Sequence, residues 1–222
     1  VRDFGALARE TLERLRSDGT LARREQRQRL EADAGRSAKV EAYLAGYRRT
    51  LPAGYRSYAD ALPDLGRDNV RAMKLAASIQ PGKSLHLWGE AGTGKSHLAV
   101  WAGAELIRRY VVPVRFLHVL DLIRMSRDWD HERDVADMLR SLPALVVDDL
   151  DKGQPTPHAR TVVYELYTRL EHGGTLLTTA NRSNDDLALF WCGDPQNVGA
   201  LASRMSLMRE AEVKGPDHGA MR

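Results

Sequence analysis

Residues 89–96 read Gly-Glu-Ala-Gly-Thr-Gly-Lys-Ser, and few octapeptides restrict the architecture around them so tightly. Glycines at Gly89, Gly92 and Gly94 let the backbone turn sharply enough for several N–H groups to converge on one anion. Such a loop has meaning only where a strand runs into it and a helix leaves it. Both are legible. Ser84-Leu-His-Leu-Trp88 is a short apolar run, and from Lys95 to about residue 110 the apolar positions recur at helical spacing. Gly89, Glu90, Ala91, Gly92, Thr93, Gly94, Lys95, Ser96 and His97 therefore form a binding segment for the phosphates of ATP. Lys95 is expected to reach the β- and γ-phosphates and Ser96 to offer its hydroxyl to Mg2+.

Further apolar runs at 111–117, 144–148 and 174–180 are interleaved with helical patterns at 119–128, 132–141, 157–172 and 197–210, with a last short strand at 211–214. Strands alternating with helices predict an α/β fold with a parallel sheet covered on both faces. Ala144-Leu-Val-Val-Asp-Asp149 is a buried-strand run ending in two carboxylates, the form of a Walker B segment. Asp148 would hold the metal ion at the carboxyl end of a strand adjoining the P-loop, and Asp149 would polarise the attacking water as a general base. The next run, Thr175-Leu-Leu-Thr-Thr-Ala180, ends in Asn181. Its amide is placed to orient water against the γ-phosphate, the role called sensor 1, although asparagine also follows strands simply as a turn former. Arg204 lies in the helical stretch 197–210, from which a guanidinium could project into a neighbouring subunit's site as an arginine finger. Arg209 is a second candidate, and Arg222 a third that would contact phosphates from the C-terminus.

The net charge of +3 is unevenly spread, since residues 1–50 carry 12 Lys/Arg against 8 Asp/Glu. In that segment Phe4, Leu7, Leu12 and Leu15 share one stripe of a first helix, and a polar second helix runs from about 21 to 49. Leu51-Pro52-Ala53-Gly54 breaks the pattern, so a helical domain is expected over 1–50 and the nucleotide-binding domain over 51–222. The single cysteine, Cys192, and the seven histidines show no zinc-ligand spacing. No stretch approaches the roughly 18 apolar residues of a membrane span, and a cytoplasmic protein is expected.

The ordered set Leu-Trp-Gly-Glu-Ala-Gly-Thr-Gly-Lys-Ser-His-Leu-Ala, Leu-Val-Val-Asp-Asp-Leu, Thr-Thr-Ala-Asn and Ala-Ser-Arg resembles the DnaC/DnaI family of bacterial replicative helicase loaders, and is similar to the IstB-type transposition helper ATPases. The resemblance spans about residues 51–222, beginning with Leu-Pro-Ala-Gly-Tyr. It implies an AAA+ P-loop three-layer sandwich with a five-stranded parallel sheet, ATP hydrolysis, and homo-oligomeric assembly into a ring or spiral on ATP binding. It also implies that the N-terminal helices grip the replicative DNA helicase and that the ATPase ring binds single-stranded DNA. Arg124, Arg127, Trp129, His131 and Arg133 are the candidates for that DNA contact, or else form a charged solvent-facing helix. The alternative implied by the IstB-type relatives is a transposition helper that binds duplex DNA and a transposase. Two features depart from the loader pattern: Asp151 stands where glycine is common, and no cysteine occurs in 1–50 to hold zinc.

Overall fold

A computed structural model describes residues 20–128, 132–193 and 198–216. The stripe of Phe4, Leu7, Leu12 and Leu15 lies outside those residues, as do Trp129, His131 and Arg222, and the side chain of Arg133 is likewise not described. The chain forms two compact units, Val1–Ala42 and Tyr43–Arg222. Helix α1, Thr20–Thr50, belongs to both. Residues 23–39 of it are exposed throughout, as their polar sequence requires. It ends at Thr50, where Leu51 precedes Pro52 and so disfavours further helix. Its last turns nonetheless pack within the larger unit. Tyr47 is buried with its hydroxyl donating to the Val100 carbonyl at 3.2 Å, and Thr50 Oγ1 accepts from the Phe116 amide at 3.1 Å. Residues 43–50, the last turns of α1, thus fall within the larger unit, ahead of the proline at 52.

In the larger unit a 3₁₀ segment, Ala53–Ala59, and helix α2, Val70–Ala77, precede strand β1, Leu85–Trp88. Then follow α3 (Lys95–Tyr110), β2 (Val114–His118), α4 (Val119–Asp128), α5 (Glu132–Ser141), β3 (Ala144–Asp148), α6 (Pro157–Thr168), β4 (Thr175–Ala180), α7 (Asn184–Cys192), α8 (Gly199–Met205) and β5 (Arg209–Glu212). The described strands form one parallel sheet in the order β2-β3-β4-β1-β5. One face packs a cluster drawn from β3, β4 and helices α4 to α8, including Leu145, Val147, Leu176, Leu122, Val163 and Trp191. Helix α3 packs along β1 to β4, and the short α2 against β1 and β5. The result is the expected three-layer α/β sandwich.

Two expectations need correction. The helix predicted over 197–210 stops at Met205, and the chain turns through Ser206–Met208 into β5, whose register pairs Arg209 with Leu85. Ladder hydrogen bonds to β1 override the helical pattern there, so Arg209 is a strand residue. Second, β3 does not pair with β1, because β4 lies between them. The Walker B strand therefore meets the phosphate loop across an intervening strand, and β4 becomes a functional strand in its own right.

Candidate nucleotide-binding site

β1 delivers the chain to Gly89, whose φ of 142° is reserved for glycine. A Cβ there would lie 2.2 Å from the Val213 carbonyl oxygen, so no other residue lets the loop pass this close to the end of β5. Gly94, at φ 93°, then opens α3 without any side-chain cap. An uncapped first turn leaves its N–H groups free for an anion. The lysine of that turn is already inside: Lys95 is 5% exposed, and its Nζ donates to the Gly89 carbonyl at 2.8 Å, to the Glu90 carbonyl, and to Asn181 Oδ1 at 3.2 Å. Burial pulls its pKa down while the carboxylates of Asp149, Asp151 and Asp148 push it back up. Thr93 Oγ1 also donates to the Glu90 carbonyl, at 2.9 Å, which folds the loop over the lysine.

The loop borders a cleft of about 530 Å³ lined by Ala91, Gly92, Gly94, Lys95, Ser96, His97, Asp149, Lys152 and Asn181 on one side and by Tyr55, Tyr58, Pro63, Asp64 and Leu65 on the other. That volume suits a nucleotide. His97 stacks on Tyr58, with ring centroids 4.1 Å apart, and shares a hydrogen bond with the Ala61 carbonyl at 3.1 Å, which pins the 55–61 segment to α3. Tyr55 stacks on Tyr58 in turn. Its hydroxyl, pushed up to about 12 chiefly by burial and next by the Asp148 charge, stays protonated beside Ser96.

Asp148 and Asp149 do different things although they are adjacent. Asp148 is fully buried; its Oδ1 accepts from Ser96 Oγ at 2.8 Å and from Thr179 Oγ1 at 2.5 Å, while its Oδ2 has no partner. Burial raises its pKa, and the Thr179 and Ser96 hydroxyls oppose that rise. Asp149 sits at φ 57°, a left-handed conformation that costs a non-glycine residue about 1 kcal/mol or more. Its surroundings enforce it: the Asp149 amide donates to Thr179 Oγ1 at 2.9 Å, Leu150 N donates to Thr179 O at 2.9 Å, and Asp149 Oδ2 meets His118 Nε2 at 3.2 Å. The His118 hydrogen bond holds the Asp149 carboxyl below its usual range and lifts the His118 imidazole above its own.

Lys95, Ser96, Asp148, Asp149 and Asn181 are thus brought together, with Gly89 to Gly94 around them. Arg204 is elsewhere. It pairs with Glu171 at 3.2 Å and lies over the Tyr164 ring, 4.4 Å from its centroid. Arg209 Nη1 donates to Ser78 Oγ at 3.3 Å. Arg124 pairs with Asp121 in an exposed i,i+3 contact, and Arg127 is exposed. Sequence reasoning missed His118, Thr179, Tyr55 and Tyr58. His118 falls at the register position opposite Asp148, one residue beyond the end assigned to the second strand from sequence. An extra residue on that strand was the available signal.

The donor set fits Mg2+: an unpartnered buried carboxylate oxygen beside a serine hydroxyl offers hard oxygen ligands. Among the described residues, His118, Asp148 and Asp149 are the one group of three potential ligands whose atoms all lie within 4.8 Å of one another.

A model of the IstB-like ATP binding protein family matches residues 11–215. No curated protein matches the chain. Among solved structures, that of DnaI superposes with a TM-score of 0.60 at 21% identity, covering 74% of this chain and 95% of the other. Domain III of the Thermotoga maritima replication initiation protein DnaA gives 0.57 at 21%, covering 70% and 69%. The DnaC helicase loader gives 0.54 at 21%, covering 72% and 99%. At these identities the three likenesses establish the fold.

Proposed function

This chain belongs to the IstB-like ATP binding protein family and is an ATPase of AAA+ type, and from that premise we propose that it uses ATP to place a replicative DNA helicase on single-stranded DNA. The observation that carries the hydrolytic part is the convergence on one cleft of Lys95 at the start of α3, Asp149 just after β3 and Asn181 just after β4, with Asp148 bonded to the cleft residue Ser96 behind them. Lys95 exchanges its carbonyl partners for the β- and γ-phosphates, a trade that a partly desolvated ammonium favours. Ser96 and Asp148 would hold Mg2+, and the ion would supply charge neutralisation at the phosphates. Asn181 orients the attacking water through its amide, and Asp149 takes the proton from that water. A carboxylate held low by His118 is a weak base, so slow intrinsic turnover is expected until that contact loosens.

The helicase part rests on the motif resemblance to loaders and on the shared fold of DnaI and DnaC. The exposed polar surface of α1 suits a segment that needs a partner. The family's IstB members favour a second reading, a transposition helper acting on duplex DNA. No helix of the described residues is long and apolar enough to cross a membrane, which accords with a cytoplasmic site of action.

The test uses the full chain from its source cell. Co-purification with the replicative helicase, together with ATP turnover that changes on adding single-stranded DNA, supports the loader. Capture of a transposase, with turnover answering only to duplex DNA, sinks it and supports the second reading.

A further inference from the structure

His86 is completely buried on β1, between the apolar Leu85 and Leu87 and just upstream of the phosphate loop. Both ring nitrogens are engaged. Nε2 lies 2.8 Å from the Arg182 carbonyl oxygen, and Nδ1 lies 2.8 Å from Thr178 Oγ1. A carbonyl only accepts, so Nε2 carries the hydrogen and donates it. Burial lowers the pKa of the ring and keeps it neutral. Nδ1 is then the acceptor, and the Thr178 hydroxyl donates to it. Thr178 is the register partner of His86 on β4, so the two side chains stand side by side on one face of the sheet.

The destination of the other bond is informative. Arg182 is an exposed residue beyond the end of β4, and its carbonyl could be satisfied by water as loop carbonyls ordinarily are. Core packing alone would be met more cheaply by leucine, because an imidazole must be stripped of water to sit at this position. What the bond does is close the turn that contains Asn181. Before Asn181 the chain is held by the β1–β4 ladder, which pairs Trp88 with Ala180. After it, the chain is held by His86. Between these two anchors Asn181 Oδ1 meets Lys95 Nζ at 3.2 Å.

We propose that His86 is a positioning residue for ATP hydrolysis, which clasps the turn beyond β4 so that the Asn181 amide is held against Lys95 at the phosphate end of the cleft. The inference rests on Asn181 being the water-orienting residue. His86 does not line the cleft, so its removal acts on the chemical step and leaves nucleotide binding in place.

The variants separate the two ring nitrogens. His86→Gln keeps a donor near the Nε2 position, His86→Asn keeps a polar group near Nδ1 only, and His86→Leu keeps neither. With the full chain, His86→Asn and His86→Leu should lower kcat about tenfold or more, with KM for ATP and nucleotide affinity changed less than about twofold, whereas His86→Gln, which gives up only the Thr178 bond, should lower kcat about twofold to threefold, as Thr178→Val should. If the first two variants do not fold by thermal melting, Thr178→Val removes the hydroxyl that steadies Nδ1 without touching the ring, and should lower kcat in the same direction at unchanged KM. A double-mutant cycle with Asn181→Ala completes the test. Acting through Asn181, His86→Asn should cost little further once Asn181 is gone. The proposal is overturned by parental kcat in folded His86→Asn or in Thr178→Val, by equal impairment of His86→Gln and His86→Asn, by KM rising in step with the loss of kcat, or by additive losses in the cycle. Parental turnover in Asn181→Ala alone would instead remove the Asn181 assignment, and the clasp's purpose with it.

Discussion

Thr179→Val removes a hydroxyl from the middle of the site while preserving side-chain volume. Thr179 is fully buried, and its Oγ1 donates to Asp148 Oδ1 at 2.5 Å while accepting the Asp149 amide at 2.9 Å. A bond to a charged group contributes roughly 1.5–3 kcal/mol, and an orphaned buried N–H costs roughly 1–3 kcal/mol. The extra buried methyl returns about 1 kcal/mol. The variant should therefore be less stable by about 1.5–5 kcal/mol at neutral pH. Asp148 supplies a second, sharper expectation. Burial raises its folded pKa above the ordinary 3.8, and the Thr179 hydroxyl is the largest influence holding it down. A carboxyl raised on folding keeps its proton to higher pH than in the unfolded chain, so its ionisation erodes stability as pH climbs from 3.8 through the folded value. Losing Thr179 raises that folded value further. The deficit of the variant should be smaller at about pH 4.5 than at about pH 7.5, measured by urea unfolding of the nucleotide-free protein at both. A deficit under about 1 kcal/mol, or one that is constant or shrinks toward neutral pH, refutes the reasoning.

Gly89→Ala places a methyl 2.2 Å from the Val213 carbonyl at a φ of 142°, and should cost about 3 kcal/mol or more with loss of ATP binding by calorimetry. Arg204→Ala gives up the Glu171 pair and the Tyr164 contact, so its melting should reveal about 1 kcal/mol of lost stability. Its turnover should collapse, yet recover in part when it is mixed with inactive Lys95→Ala, because each supplies what the other lacks across a subunit boundary; no recovery would discard Arg204 as the finger. The pair of His118 and Asp149 has a definite pH window. A raised His118 contributes fully below its ordinary 6.5 and less as pH rises through its folded value, while a lowered Asp149 contributes above its ordinary 3.8 and less as pH falls through its folded value. His118→Gln should thus cost about 1 kcal/mol between these limits and progressively less outside them, in urea titrations across pH.

Local features were legible in the sequence where one interaction dominates. The phosphate loop and β3 announce themselves through glycine spacing and an unbroken Ala-Leu-Val-Val run, and α4, α5 and β3 have the predicted ends. Helix α7 was unreadable as periodicity because Asn184-Asp-Asp is polar and then Leu187 to Cys192 is apolar on nearly every side, although Ser183 caps it through the Asp186 amide. The short α2 before β1 was likewise not read from the sequence. Pairing was the larger blind spot. That β4 separates β1 from β3 decides what Thr178 and Thr179 do, the first bonding to His86 and the second to Asp148, and alternation along a strand says nothing about which strand lies beside it.

The same geometry bears on why assembly should matter for turnover. Of the described residues lining the cleft, the positively charged ones are Lys95 and Lys152, and none is an arginine. Phosphoryl transfer spreads negative charge over the equatorial oxygens, and a guanidinium added there typically accelerates such reactions by roughly 10³- to 10⁵-fold. Within its own chain Arg204 is committed to Glu171 and Tyr164 with 18% of its side chain exposed, an arrangement that holds the guanidinium in a fixed direction. A neighbouring subunit presenting that arginine would convert a slow site into a fast one without any change in Lys95, Asp148 or Asn181. Rate should then climb with protein concentration more steeply than first order until the assembly is complete, and Arg204→Ala should abolish the steepness while leaving nucleotide affinity intact. A specific activity that is flat across the concentration range spanning assembly would show that the site is complete within one chain.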